Sequence, residues 1–511
     1  MAKEVGARLG VRYLLQRRLQ GGVEANASRA IMSARERVHL VWLKRDLRLH
    51  DHAPLSEASR RCAAGEKAIA LYVRETDYWA TDKASPDQWG FVAECLRDLA
   101  TNLTKISCPL LLVEAPSAEI VLASLFDHYE VAELLCHQET GNGWTFERDK
   151  RVLRLCGERG IPVREFLQNA VVRGRNRPPE KPEHQTFWNK WMAGPQSTAP
   201  KFWRSPTTPP PHFIVPDLTT PATVPRQRGG EAVALGLLES FLRERCLLHD
   251  GYRVEMGSPL HAHESCSRLS PHLTWGSLST RRAAQAAMTR EPRPPHGSMM
   301  HRNSFHRRLR WRDHFLQKFE SLPWMEFRCI NPTRETLHGW DQVSYERWAA
   351  GMTGYPFVDA CMRSLNETKW INFRARAMLV SFASYALNLD WRRFAPHLAR
   401  TFLDYEPGIH YSQLQMQSGT THGSPPRIYN PIKQSLEKDP SGEFIRRWVP
   451  ELRDLSGDAI HLPTESDRNG YPSVIVPPGS LWRIMRSNGP KSALKAAEPQ
   501  MELDLGPAAD S

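Results

Sequence analysis

The 511-residue chain has no run of eighteen consecutive apolar residues, so no segment reads as a membrane span. It has no C-x-x-C pair, and none of its nine Cys lies beyond Cys361. That argues against structural zinc and against a C-terminal iron–sulfur cluster, and no metal is expected. An odd, scattered set of Cys fits reduced thiols inside a cell instead. No G-x-G-x-x-G follows the first strand-like segment, which removes the usual dinucleotide fingerprint. No secretory apolar core opens the sequence, and residues 487–511 are polar and low in aromatics, a tail expected to be disordered.

What is present is positive charge and tryptophan. A net charge of +12 suggests a polyanionic partner, against the plainer reading that surplus Arg merely solvates the surface. Seven of the sixteen Trp fall between Trp275 and Trp391, which points to an aromatic-lined interior or site. Residues 1–37 carry eight basic side chains, from Lys3 to Arg37, against Glu4, Glu24 and Glu36. They read as a basic leader, either disordered or an organellar targeting segment. The expectation is a soluble intracellular protein, with chloroplast, mitochondrion and nucleus all compatible with that leader.

The stretch Val38–Leu43 is a short apolar run ending in charge, the pattern of a parallel strand buried on both faces. Similar runs recur at Ala68–Val73, Leu110–Val113, Val131–Cys136 and Val163–Leu167, with helical patterns between them. This alternation predicts a doubly wound parallel α/β domain over 38–167. Residues 168–230 form a Pro-rich connector whose Trp188, Trp191 and Trp203 imply that it docks on the surface. From 231 to 486 the patterns are helical almost throughout, with no strand series, predicting an all-α domain.

The patch Ser265–Arg281 (SCSRLSPHLTWGSLSTR) sets Ser270 before Pro271, a helix-start signal. Hydroxyls and an Arg at a helix N-terminus can hold an anion; an ordinary capped helix explains the patch equally well.

A longer pattern runs from Trp348 to Leu452: GMTGYPFVDACMRSL, TKWINFRARAML, LDWRRFAPHL and RIYNPIKQSLEKDPSGEFIRRWVPEL. Together with VWLKRDLRLHDHAPL at Val41–Leu55 it strongly resembles the photolyase/cryptochrome family. The resemblance implies an α/β antenna domain joined to a helical domain that holds FAD. It implies that Ser267, Arg268, Leu269 and Ser270 lie near the FAD phosphates and ribityl chain, and that Tyr252 helps close the site. It places Arg376 and Asp404 as a pair beside the isoalloxazine, with Asn372 and Arg374 on the same helix and Arg374 toward DNA. His410 matches the residue facing flavin N5, where it could donate a proton or a hydrogen bond near neutral pH. Trp311 matches a Trp that stacks on a flipped pyrimidine dimer.

Departures from the family pattern cluster around that pocket. A Glu that contacts the lesion in well-known bacterial relatives is Arg308 here, on the helix face of Trp311. A polar Asn becomes Phe373, and a second pocket Trp becomes Met416. In the family's tryptophan relay Trp391 matches the middle member and Trp340 approximates the outer one. The flavin-proximal member aligns with Leu414, which cannot be oxidised, leaving Trp370, Tyr405 or Tyr411 as detours. Glu139 and His50 fall near positions that touch a folate-type antenna pigment in some relatives; a deazaflavin-type pigment is the other option.

Two functions follow from the resemblance. One is an FAD-dependent, blue-light-driven repair of pyrimidine dimers by a monomer that binds damaged DNA, with Trp311, Arg308, His410 and Trp391 in the chemistry. The other is a cryptochrome-type photoreceptor acting through a protein partner.

Overall fold

The computed structural model describes residues 35–219, 224–290, 293–422, 428–481 and 483. The basic leader up to 34 and the tail from 487 lie outside the described residues.

Five parallel strands form one sheet: β1 (Arg37–Leu43), β2 (Ala68–Glu75), β3 (Leu110–Ala115), β4 (Glu130–His137) and β5 (Val163–Phe166), in the order β3-β2-β1-β4-β5. Register is set at the centre by Leu40, which sits beside Ile69 of β2 and Leu134 of β4. Side chains alternate across a strand. Val38, Leu40 and Trp42 of β1 enter the core on one face, and Val41 and Leu43 enter the core on the other. Both faces are covered by helices, so the strand needs an unbroken apolar run rather than an alternating one.

Helix Pro86–Thr104 starts on Ser85, whose side chain and that of Gln88 form a capping box with Pro86 in the first turn. The connector does dock, and through its tryptophans. Trp188 donates to Asp313 Oδ2 at 3.2 Å and Trp203 to the carbonyl of Ala68 at 3.0 Å. It also contains helix Lys181–Ala193, hidden in the sequence by the surrounding prolines.

The second half is helical. Trp391–Thr401 begins at Asp390, whose carboxylate accepts the N–H of Arg392 at 3.0 Å. The helix that starts at Phe373 runs to Ser381 and then widens into a π-helical turn, Phe382–Ala386. All nine Cys are buried and free.

The sheet and the helical half share a core. Trp275 and Leu403 pack in the same cluster as Trp89 and Phe91. Buried Gln88 donates to the carbonyls of Ala399 and Phe402, each at 2.8 Å. Arg45, just after β1, donates to the carbonyls of Thr274 and Tyr405 at 3.1 and 2.7 Å.

Candidate functional site

Helix Phe373–Ser381 and the loop before helix Pro407–Gln417 meet through one ion pair. Arg376 Nη1 and Nη2 each donate to an Asp404 carboxylate oxygen at 2.9 Å, a fork-to-fork arrangement. The guanidinium is oriented further by Nε, which donates to the carbonyl of Ile371 at 2.8 Å, and it lies over the ring of Phe402. Asn372 precedes the helix; its Nδ2 donates to the carbonyl of Met256 at 3.0 Å, leaving Oδ1 buried without a partner.

His410 lies on helix Pro407–Gln417, buried among Phe402, Tyr405 and Tyr411. Its Nε2 lies 3.1 Å from the carbonyl of Ala395, so Nε2 carries the proton and Nδ1 holds the lone pair. Burial, helped by Arg376 and Lys83, pulls its pKa down to about 3. The ring is therefore neutral with its N–H committed, and Nδ1 can offer an acceptor.

The SRLS patch also departs from the expected form. Helix Ser270–Thr274 has five residues and no side-chain cap; Ser270 is its first residue, not its cap, and its Oγ accepts from Trp370 Nε1 at 3.0 Å. A helix of one turn supplies too few aligned peptides for a dipole site, so any anion must be held by side chains and the loop. Arg268 has φ of 61°, a left-handed backbone unusual for an L residue, and its guanidinium lies 3.9 Å from the Trp370 ring centroid. Burial first, with Arg245 and Arg376 nearby, lowers its pKa to about 10. Leu269 is fully buried, and Ser267 Oγ accepts its N–H. Tyr252 opens a short helix after Gly251 and packs edge-on against Phe241.

These residues fit FAD. A desolvated guanidinium without a carboxylate on it, and buried polar atoms lacking partners (Asn372 Oδ1, His263 Nε2 and Gln227 Oε1), are costly unless a ligand meets them. Gln227 Nε2 donates to the Arg268 carbonyl at 2.6 Å, which fixes the backbone there.

The long helix Ser298–Ser321 carries Arg308, Trp311 and Phe315 on one side. Arg308 Nη2 reaches Met256 Sδ at 3.2 Å, and Trp311 and Phe315 have ring centroids 5.9 Å apart. Arg307 and Arg310 crowd on the same helix; burial and then Arg307 press the pKa of Arg310 down. Phe373 is exposed, Met416 half-buried, and Arg374 donates to Tyr429 Oη at 3.4 Å. Leu414 is buried at 1 % exposure and Trp391 likewise. Trp370 stacks under the Arg268 guanidinium and donates to Ser270 Oγ. Glu139 pairs with Arg148 at 2.7 Å, and His50 Nδ1 lies 3.0 Å from Glu231 Oε1. Sequence reasoning missed Met256, Gln227 and His263; none stands in a spacing that would mark it.

Among the described residues one cluster gathers metal-ligating groups: Asp46, His52 and His137, at the carboxyl ends of β1 and β4. His52 Nδ1 accepts the Leu55 N–H at 3.1 Å, so its proton is on Nε2, 3.0 Å from Asp46 Oδ2. His137 Nδ1 lies 2.7 Å from the same oxygen. The cluster is tied together by the His137 Nδ1 hydrogen bond to Asp46, while His52 Nε2 approaches the same carboxylate without hydrogen-bond geometry.

No helix among the described residues is long and apolar enough to cross a membrane. Two family models match the chain, "DNA photolyase" over residues 39–206 and "FAD binding domain of DNA photolyase" over residues 305–478. The deoxyribodipyrimidine photo-lyase of Streptomyces griseus is 29% identical over 460 residues, covering 86% of this chain and 96% of that protein. An archaeal photolyase from Sulfolobus tokodaii, solved with two FAD molecules, matches with a TM-score of 0.71 and 25% identity over 88% of this chain and 99% of its own. A cryptochrome from Synechocystis sp. matches with a TM-score of 0.78 and 25% identity, covering 89% of this chain and 100% of that one.

Proposed function

We propose, since this chain belongs to the photolyase and cryptochrome family of FAD-binding proteins, that it uses light to split pyrimidine dimers in DNA. The observation that carries this is the place of Met256. Arg308 of the cation-rich helix touches its sulfur and Asn372, before the cofactor-side helix, holds its carbonyl. The groups that meet DNA and the groups that meet FAD are therefore joined at one residue.

When bound, FAD supplies the electron that light drives onto the dimer. The rest falls to this chain. Arg376, locked by Asp404, presents fixed positive charge to the ring system. Asn372 Oδ1 and His410 Nδ1 are acceptors for ring N–H groups, and Arg268, Ser267 and Ser270 take the phosphates and ribityl hydroxyls, with Leu269 as the floor and Tyr252 as a wall. Trp311 offers a flat face to a base turned out of the duplex, while Phe373 and Met416 exclude water around it. Arg374 and Arg308 meet the backbone phosphates. A folate- or deazaflavin-type pigment as antenna goes with this reading.

The test is repair of defined dimers in single- and double-stranded oligonucleotides under blue light, with the FAD chemically reduced. Loss of dimer on neither substrate overturns the proposal. It would leave the photoreceptor reading, which the Arg308 and Leu414 departures favour, with a protein partner to be sought.

Arg307 and Arg310 crowd together on the helix that carries Arg308, a cost that a polyanion relieves. Binding to undamaged DNA should therefore weaken with salt, and Arg308→Glu should lower affinity and flatten the salt slope by about 1. Fluorescence anisotropy across a salt series reads both. An unchanged slope would remove Arg308 from the DNA face.

A further inference from the structure

We propose that Tyr411 is the electron donor that refills the flavin site, and that Glu326 receives its phenolic proton as the electron leaves. The proposal rests on the FAD reading of this site and adds a route by which the bound FAD is reduced in light.

Leu414 is a gap where a ring would be needed, and the helix that carries it supplies one nearby. Tyr411 is the neighbour of His410, their ring centroids 5.0 Å apart. On its other sides lie Trp391, at 6.3 Å, and Phe319, stacked at 5.8 Å. Trp391 Nε1 is buried against the Cys329 thiol. An indole oxidised there faces a sulfur, a weak acceptor for its proton, and no carboxylate.

The phenol is differently equipped. Tyr411 Oη donates to Glu326 Oε1 at 3.3 Å and accepts from Tyr405 Oη at 3.3 Å. The Glu326 side chain is 2 % exposed and lies 3.4 Å from Lys83 Nζ, whose side chain reaches solvent. Its other oxygen accepts the Gly143 N–H at 2.7 Å. Burial raises the Glu326 carboxyl above the ordinary range, which strengthens its carboxylate as a base. Burial also drives the Tyr411 phenol well above its ordinary value, so it keeps its proton until it is oxidised.

With FAD bound, oxidised and excited by light, Tyr411 would give up one electron to it as the Oη–H bond breaks and the proton passes to Glu326 Oε1, leaving a neutral phenoxyl radical steadied by the Tyr405 hydroxyl. A thiolate in solution returns one electron to the phenoxyl and becomes a thiyl radical, two of which join as one disulfide over two turns, and Glu326 returns the proton. Lys83 links this carboxylate to the surface for exchange with water.

The plainer role for Glu326 is to anchor Gly143, so the variants must separate the two. Tyr411→Phe keeps the ring and its packing, and Glu326→Gln keeps an acceptor for Gly143. Each FAD-loaded protein is illuminated with a thiol present, without DNA, and bleaching of the oxidised flavin is timed. Tyr411→Phe should slow photoreduction roughly a hundredfold, the low end of what a placed proton acceptor contributes. Glu326→Gln should slow it too and remove the heavy-water slowing seen in the native protein. In native protein, spin resonance at low temperature should show a neutral radical whose lines narrow with ring-deuterated tyrosine, which needs no variant. A radical insensitive to that label, or an unchanged rate in Tyr411→Phe, overturns the proposal. Repair with chemically reduced FAD bypasses this route: if repair persists while the tyrosyl signal is missing, only the relay falls. If the signal forms and no dimer is repaired, only the proposed function falls.

Discussion

Asp404→Ala yields a protein without flavin, and folded-state stability falls by roughly 1–3 kcal/mol, the cost of leaving a partly buried guanidinium without its acceptor. Asp404 is 3 % exposed at its side chain and holds both Nη atoms of Arg376. Removing it frees the guanidinium to swing on Nε, so the charge that should face the ring is no longer positioned, and a cation is left without its counter-ion. Asp404→Asn keeps the shape and one acceptor for Arg376, and should retain more flavin than Ala does. Flavin absorbance after reconstitution, together with urea unfolding, measures both effects. A full complement of FAD in Asp404→Ala would mean that the pair is structural and stands apart from the ring.

His410→Gln should make the protein more resistant to acid. The folded chain holds the imidazole neutral down to about 3, while an unfolded histidine takes up a proton near 6.5. Burial is the first cause, with Arg376 and Lys83 adding to it. Stability from this residue is therefore fully present above pH 6.5 and is lost as pH falls from 6.5 toward 3, because the unfolded state binds the extra proton. The slope is on the order of 1.4 kcal/mol per pH unit, or about 2 kcal/mol between neutrality and pH 5. Gln keeps an N–H for the Ala395 carbonyl and has no such proton to bind. Urea midpoints at pH 7 and pH 5 should thus converge on, or cross, those of the native chain. Parallel curves would mean that His410 protonates in the folded state with little penalty.

The strands were legible because a sheet covered on both faces imposes one simple rule on each of them. Val38–Leu43 and Ala68–Val73 obey it, and the observed strands extend only slightly beyond. Trp391–Thr401 lies in the stretch read as helical, and Asp390 caps its start. Lys181–Ala193 was not legible, because Pro182 reads as a breaker although it sits harmlessly in a first turn. The helix carrying Arg308 begins at Ser298, eight residues before its apolar pattern becomes visible at His306, since that opening turn is rich in polar side chains. Arg376 and Asp404 lie 28 residues apart, and no periodicity joins them; only the family resemblance did. Glu326 had no signal at all. Its meaning comes from Tyr411 and Lys83, which approach it from distant parts of the chain.

The carbonyls of Thr274, Ala399, Phe402 and Tyr405, all in the helical half, are held by Arg45 and Gln88 from the sheet side. Two of these anchor points flank Asp404, and Thr274 ends the short helix that follows Arg268. Heat therefore cannot melt one layer and spare the other, since losing either strips hydrogen-bond partners and shared core from its neighbour. A cofactor that binds only the helical half raises the melting temperature of the sheet as well, by mass action on a single cooperative unit.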